Sequence, residues 1–128
     1  MTKVLIVEDD RFLSSAYRLK FTKAGYEVKL AMDGSEGMAI LSTFTPDIIL
    51  LDLVMPVKDG FTMLSELKAD ERYKNIPVVI TSNLSQKEDI DKAKSMGATD
   101  FIIKSDISLD DLVKKVQALL EKPVASTS

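Results

Sequence analysis

Pro46-Asp47-Ile48-Ile49-Leu50-Leu51-Asp52-Leu53-Val54-Met55-Pro56 sets an unbroken apolar run, Ile48 to Leu51, between two acids. A short continuous apolar run bounded by turn-forming residues is how a strand reads when both faces of its sheet are covered, as in parallel sheets. Val4–Val7, Val78–Ile80 and Phe101–Ile103 are runs of the same kind. Glu27-Val28-Lys29-Leu30-Ala31 instead alternates polar and apolar, the pattern of an edge strand with one wet face.

Segments of helical period lie between these runs. Phe12, Ala16 and Leu19 fall at i, i+4 and i+7, and Gly37, Ile40, Leu41 and Phe44 repeat the pattern. Leu109, Leu112, Val113, Val116 and Leu120 form the clearest stripe; Phe61, Leu64 and Leu67, after Asp59-Gly60, form a weaker one. Ser85 with Glu88 and Ser108 with Asp111 have the spacing of capping boxes. Gly25 and Gly97 stand where left-handed helix stops are expected. The alternation amounts to five strand–helix units, which implies a doubly wound α/β fold with a five-stranded parallel sheet and right-handed crossovers.

Composition narrows the chemistry. The 128 residues suffice for one domain, and 45% hydrophobic with 29% charged residues is a globular balance. No apolar run approaches the ~20 residues of a membrane helix. Met1-Thr2-Lys3 runs straight into the first strand without the pattern of a signal peptide, so a cytoplasmic protein is expected. Cysteine and histidine are both absent, which removes thiolate nucleophiles, imidazole bases and the usual zinc ligands. A net charge of −3 offers no support for a nucleic-acid footprint.

The polar residues gather at one kind of place. Glu8-Asp9-Asp10 follow the first strand, Asp52 ends the third, Thr81 the fourth and Lys104 the fifth. Open α/β sheets bind ligands outside the carboxyl ends of their strands, so four strands deliver acids, a hydroxyl and an ammonium to that edge. Each residue also has a plainer reading. Acids following a strand can cap the next helix, a role that falls to Asp10 and leaves Glu8 and Asp9 for the edge. Lone lysines at strand ends are usually surface residues, and threonine suits any strand. Asp52 resists such treatment, because a carboxylate closing a buried strand is costly unless paired or bound to a cation.

Carboxylates without imidazole or thiolate select a hard divalent cation, with magnesium foremost. With Mg2+ held by Glu8, Asp9 and Asp52, the oxygens of an incoming phosphoryl group are neutralised and Asp52 can attack to give an acyl phosphate. Lys104 then stabilises charge on the group in transfer, and Thr81 can hydrogen-bond a phosphoryl oxygen afterwards.

These residues, as an ordered set, resemble the receiver domains of two-component response regulators. The resemblance runs from Lys3 to Leu120. It is carried by Val-Leu-Ile-Val-Glu-Asp-Asp at the start, Pro46 to Asp52, Met55-Pro56 with Asp59-Gly60, Thr81-Ser82, and Gly97 to Lys104. It implies a flavodoxin-like strand order 2-1-3-4-5, a receiver domain over residues 1–121, and a polar tail or linker stub over 122–128. It further implies Asp52 as phosphoacceptor, Glu8 and Asp9 as the acidic pair for Mg2+, and the Val54 carbonyl as another metal ligand. Thr81 and Phe101 match the switch residues and Lys104 the pocket lysine. The implied donor is a phosphohistidine on a sensor histidine kinase or histidine phosphotransfer protein, and the implied output is a changed docking face for a downstream protein target. Dimerisation on activation occurs in the family, although Asp89, Asp91, Lys92 and Lys94 read equally well as a solvated helix face.

The sequence departs from the family at Ser105, where a proline joined by a cis bond usually follows the lysine. A cis bond before a non-proline residue costs ~2.5–4 kcal/mol, so a trans bond and a differently placed loop from Lys104 to Asp106 are expected. Val57-Lys58 occupies a turn where the family often begins with glycine. Three rival readings remain. A metal-dependent phosphatase would use a second acid two residues after its nucleophile, where Val54 stands. A flavin module would want a glycine- and hydroxyl-rich loop where Glu8-Asp9-Asp10 stand. A receiver-like interaction module that switches without phosphorylation is favoured by Ser105 alone.

Overall fold

The structure, a computed structural model, describes residues 1–84 and 86–121. Five strands, β1 (Lys3–Val7), β2 (Glu27–Ala31), β3 (Ile48–Leu51), β4 (Val78–Ser82) and β5 (Asp100–Ile103), alternate with five helices. The helices are α1 (Arg11–Lys23), α2 (Gly34–Leu41), α3 (Gly60–Ala69), α4 (Lys87–Ser95) and α5 (Leu109–Glu121). All strand pairs are parallel and the order is β2-β1-β3-β4-β5, the flavodoxin-like arrangement. The polar–apolar alternation of Glu27 to Ala31 therefore does mark an edge strand.

β5 forms the opposite edge although its sequence is apolar. An edge is open in the hydrogen-bonding direction, whereas apolar sequence reports what covers the faces. Ile102 packs with Leu112, Val113 and Val116 of α5, and Phe101 packs against the cluster that includes Ala93 of α4. Both faces of this edge strand are thus covered.

The sheet divides the core in two. Leu5, Val7, Ile49, Leu51, Val78 and Ile80 face α2, α3 and α4; Val4, Ile6, Ile48, Leu50, Val79 and Ile102 face α1 and α5. This strict alternation is the period-2 geometry of strands applied to runs that bury every residue.

The helix starts and stops follow local chemistry. The Asp10 carboxylate accepts from the Leu13 N–H at 3.0 Å, Asp59 accepts from Thr62 at 2.8 Å, and Ser108 Oγ accepts from Asp111 at 3.1 Å. Gly25 and Gly97 adopt φ of 96° and 103°, the left-handed stops their positions suggested. The expected box of Ser85 with Glu88 differs: Ser85 lies outside the described residues, and α4 starts after Gln86, which makes no side-chain cap bond.

Helix α1 corrects the sequence reading in one respect. Its buried residues are Ser14, Tyr17 and Phe21, while Phe12 and Leu19 are 87% and 60% exposed. Two apolar stripes overlap in this helix, and the one with more aromatic surface faces inward. Phe21 meets Tyr26 edge-on, with ring centroids 5.1 Å apart and planes at 87°.

Candidate functional site

Ile6, Leu50, Val79 and Ile102 all belong to the core layer beneath α1 and α5. Two residues further along each chain stand Glu8, Asp52, Thr81 and Lys104. Period-2 alternation therefore aims all four at the same face of the sheet, just beyond its carboxyl edge. Residues from separate strands form one polar layer on an apolar one, and this layering builds the site.

Glu8, Asp52 and Thr81 are only 1%, 5% and 2% exposed. One oxygen of Glu8 accepts from the Asp10 N–H at 3.1 Å, and the other lies 2.5 Å from Lys104 Nζ. That second oxygen has no well-directed hydrogen bond. Lys104 Nζ also lies 3.3 Å from an oxygen of Asp52, whose other oxygen faces the Val54 N–H at 3.4 Å. Asp9 is exposed, and it places a carboxylate oxygen with those of Glu8 and Asp52 so that all three lie within 4.8 Å of one another.

The electrostatics follow from three acids around one ammonium. Burial pushes both the Glu8 and Asp52 carboxyls up, and their pairing with Lys104 offsets this only in part. Burial alone would lower Lys104, but hydrogen bonding and charge from Glu8 and Asp52 outweigh it and leave the ammonium raised. The two directions agree: the lysine has more anions than it needs, and the acids have too little cation. A hard divalent ion would supply the missing charge, and an all-oxygen donor set of three carboxylates within 4.8 Å of one another fits one.

The loop after Asp52 is pinned at both ends. Gly60 opens α3 so close to the strand that a Cβ there would lie 2.1 Å from the Asp52 carbonyl oxygen. Its N–H donates to the Leu53 carbonyl at 3.0 Å, and the Lys58 carbonyl accepts from Gly34 of α2 at 3.0 Å. Val57 sits between these anchors with φ of 65°, in the left-handed region that favours glycine. The loop after β5 has the trans bond expected before Ser105: no cis peptide bond occurs among the described residues, Lys104 to Asp106 forms a single 3₁₀ turn, and Lys104 reaches both acids.

Residues 4–117 match the family described as the response regulator receiver domain. The chain belongs to this family. It is 36% identical over 122 residues to the DNA-binding dual master transcriptional regulator RpaA of Synechocystis, covering 95% of this chain and 50% of that protein. Among solved structures, the Francisella response regulator 1452 receiver domain superposes with a TM-score of 0.86 at 30% identity, covering 95% of this chain and 98% of that one. A response regulator solved in its Mn(2+)-bound form gives a TM-score of 0.82 at 29% identity, with 97% and 98% covered. The chain spans about half the length of RpaA, so the match concerns the receiver and not the rest of that regulator.

Within this receiver, Glu8, Asp9, Asp52 and Lys104 come together as the sequence suggested. Thr81 lies on the same face. Phe101 does not: it packs on the opposite face, against the α2–α4 core, half-buried. Val54 projects its side chain outward, 60% exposed, beside a cleft of about 300 Å³ lined by Asp52, Val54, Ser82, Asn83, Leu84 and Lys104.

The sequence reading missed Tyr17. Its ring is buried in the layer of Ile6, Leu50, Val79 and Ile102. Burial, with charge from Glu8 and Asp52, pushes this phenol up. Its signal in the sequence is slight: a tyrosine two turns after the acids, off the stripe of Phe12 and Leu19.

Proposed function

We propose that this receiver is a Mg2+-dependent phosphoacceptor in two-component signalling, with Asp52 as the residue modified. The observation that carries this reading is the under-compensated cluster of Glu8, Asp9 and Asp52 around Lys104, at the mouth of a cleft. Glu8, Asp9, Asp52 and the Val54 carbonyl would hold the ion, which neutralises phosphoryl oxygens during transfer. The likeness to a regulator solved with Mn2+ supports a hard divalent ion at this place.

The donor is a phosphohistidine of a sensor kinase or phosphotransfer protein, which fits a chain with no histidine of its own. The Asp52 carboxylate attacks phosphorus, a P–O bond forms, and the P–N bond breaks with its electrons leaving on the donor imidazole. Lys104, within reach of Asp52, stabilises charge on the group in flight. Thr81 then binds a phosphoryl oxygen, and the change reaches the α4–β5 side through Phe101, altering the surface offered to a downstream protein. Water attacking the acyl phosphate resets the switch, so the chain assists its own phosphorylation and dephosphorylation without a separate substrate. Such a receiver works in the cytoplasm, and its folded unit is residues 1–121; the tail or linker stub expected over 122–128 lies outside the described residues.

The reach of Lys104 to both acids supports the phosphoacceptor reading over the phosphorylation-independent module that Ser105 alone favoured. The test is intact mass after incubation with acetyl phosphate. A gain of one phosphoryl group that needs Mg2+ and disappears in Asp52→Asn is expected. Full labelling of the variant would overturn the site assignment. A wild type that takes no label from acetyl phosphate or from a phosphohistidine donor would overturn the function.

A further inference from the structure

Val57 is not held in place by its own contacts. Its φ of 65° is unfavourable for a residue with a Cβ, and its side chain is 85% exposed, so packing does not fix it. A backbone in such a region persists only where its surroundings over-determine it. The next residue supplies that hold.

Lys58 is fixed through both its backbone and its side chain. Its carbonyl accepts from the Gly34 N–H at 3.0 Å, and its ammonium reaches both oxygens of Glu66, at 2.6 and 2.7 Å. Its stem lies on the bare face of Gly34, where a Cβ would come within 2.8 Å of the Lys58 Cγ and carbonyl oxygen. The side chains of Lys58 and Glu66 are 25% and 40% exposed, so the pair is partly withdrawn from water. The loop, the start of α2 and the body of α3 thus meet at one lysine. Little freedom separates this junction from the ion site. Pro56 has a fixed φ and Met55 is buried, so a shift at Lys58 passes back to Val54 with few dihedrals free to absorb it.

We infer that Lys58 and Glu66 are positioning residues for the metal site, their ion pair locking the loop so that the Val54 carbonyl is held for the ion. This rests on the phosphoacceptor reading above and deepens it: affinity for Mg2+ is set partly by a pair outside the acidic cluster. Charge acting through space predicts something different. Losing a nearby cation tightens a divalent ion and losing a nearby anion loosens it, so Lys58→Met and Glu66→Gln would then have opposite signs. A positioning role gives both the same sign.

The experiment is a Mg2+ titration of the full chain, followed by amide NMR shifts, in wild type, Asp52→Asn, Lys58→Met, Glu66→Gln and the Lys58→Met/Glu66→Gln double variant. Methionine keeps a long stem on Gly34, and glutamine is nearly isosteric with glutamate, so each change removes a charge and little else. Each single variant is expected to weaken Mg2+ binding about threefold, within what a partly exposed pair can transmit, and the double variant no more than either. The Gly34 amide should exchange faster in both single variants. Opposite signs, unchanged affinity, additive losses or an unaltered Gly34 exchange rate overturn the inference and leave the ion site standing. A wild type that binds no Mg2+, or an Asp52→Asn variant that binds it as wild type does, overturns the ion site itself and this inference with it.

Discussion

At the carboxyl edge of the sheet the two faces diverge. On the α1–α5 side the layer of Ile6, Leu50, Val79 and Ile102 gives way to Glu8, Asp52, Thr81 and Lys104. On the α2–α4 side Leu51 is followed by Leu53 and Met55, half-buried Phe101 lies level with Ile80, and only Asp9 after Val7 and Ser82 after Ile80 are polar, with the chain in close contact at Gly37 and Gly60. The same strands thus end in four site residues on one face and mainly in packing on the other. A single register produces both, because successive residues of a strand point opposite ways. Thr81 and Phe101 are then separated by one sheet thickness, on opposite faces.

The largest expected effect tests the packing beneath the charged face. Phe21 is fully buried and Phe12 is 87% exposed, although both are phenylalanines of α1. Phe21→Ala is expected to cost about 3–5 kcal/mol in urea denaturation, the usual range for a buried aromatic. Phe12→Ala should stay within ~0.5 kcal/mol of wild type. Comparable costs for the two would mean that α1 is rotated from the orientation described, and Tyr17 would then not underlie the site.

A smaller effect separates the faces by charge. Burial raises the Asp52 and Glu8 carboxyls. A carboxyl raised on folding contributes stability that is fully present below its unfolded pKa and lost as pH rises through the folded value. At pH 7 and without metal, Asp52→Asn should therefore be more stable than wild type, and its advantage should shrink as pH falls toward the carboxylate range. Mg2+ at 100 times its Kd should add about 2.7 kcal/mol to wild type by mass action and little to the variant. Thermal denaturation in chelator and in Mg2+, at pH 7 and pH 5, measures both. An undiminished Mg2+ increment in Asp52→Asn would place the ion elsewhere.

How much of this could be read from sequence follows from the kind of information each feature carries. The strands and the polar rim were legible because continuous apolar runs report two covered faces, and because residues after such runs must lie at the sheet edge; the strand order was implied by the family resemblance alone. The edge position of β5 came only with that order, since Phe101 to Ile103 report their faces and say nothing of hydrogen-bonding neighbours. The inward side of α1 was ambiguous because Phe12–Leu19 and Tyr17–Phe21 are both helical stripes, and only packing against Tyr26 and α5 chooses. Tyr17 therefore could not be placed beneath the site from its spacing. Lys104 was placed correctly despite Ser105, because a lysine stem is long enough to absorb a local change of turn.

The smallest effect concerns the loop that leaves the charged face for the packed one. Val57 holds φ of 65° and is 85% exposed, so its side chain gains little from burial while its backbone occupies the left-handed region. For a residue with a Cβ this conformation costs roughly 1–2 kcal/mol, and a β-branched side chain suits it least. Glycine removes the strain but gives the unfolded chain more freedom, which takes back ~0.5–1 kcal/mol. Val57→Gly should therefore stabilise the fold by about 1 kcal/mol at most, read as a shift in the urea midpoint at constant slope. The anchors on either side, Lys58 bonded to Gly34 and Gly60 bonded to Leu53, set the loop's path independently of Val57. Phosphoryl incorporation at Asp52 should accordingly be unchanged in this variant. A gain in stability with a loss of labelling would mean that the strained turn itself holds the Val54 carbonyl in place for the ion, and that the packed face contributes directly to the chemistry of the other.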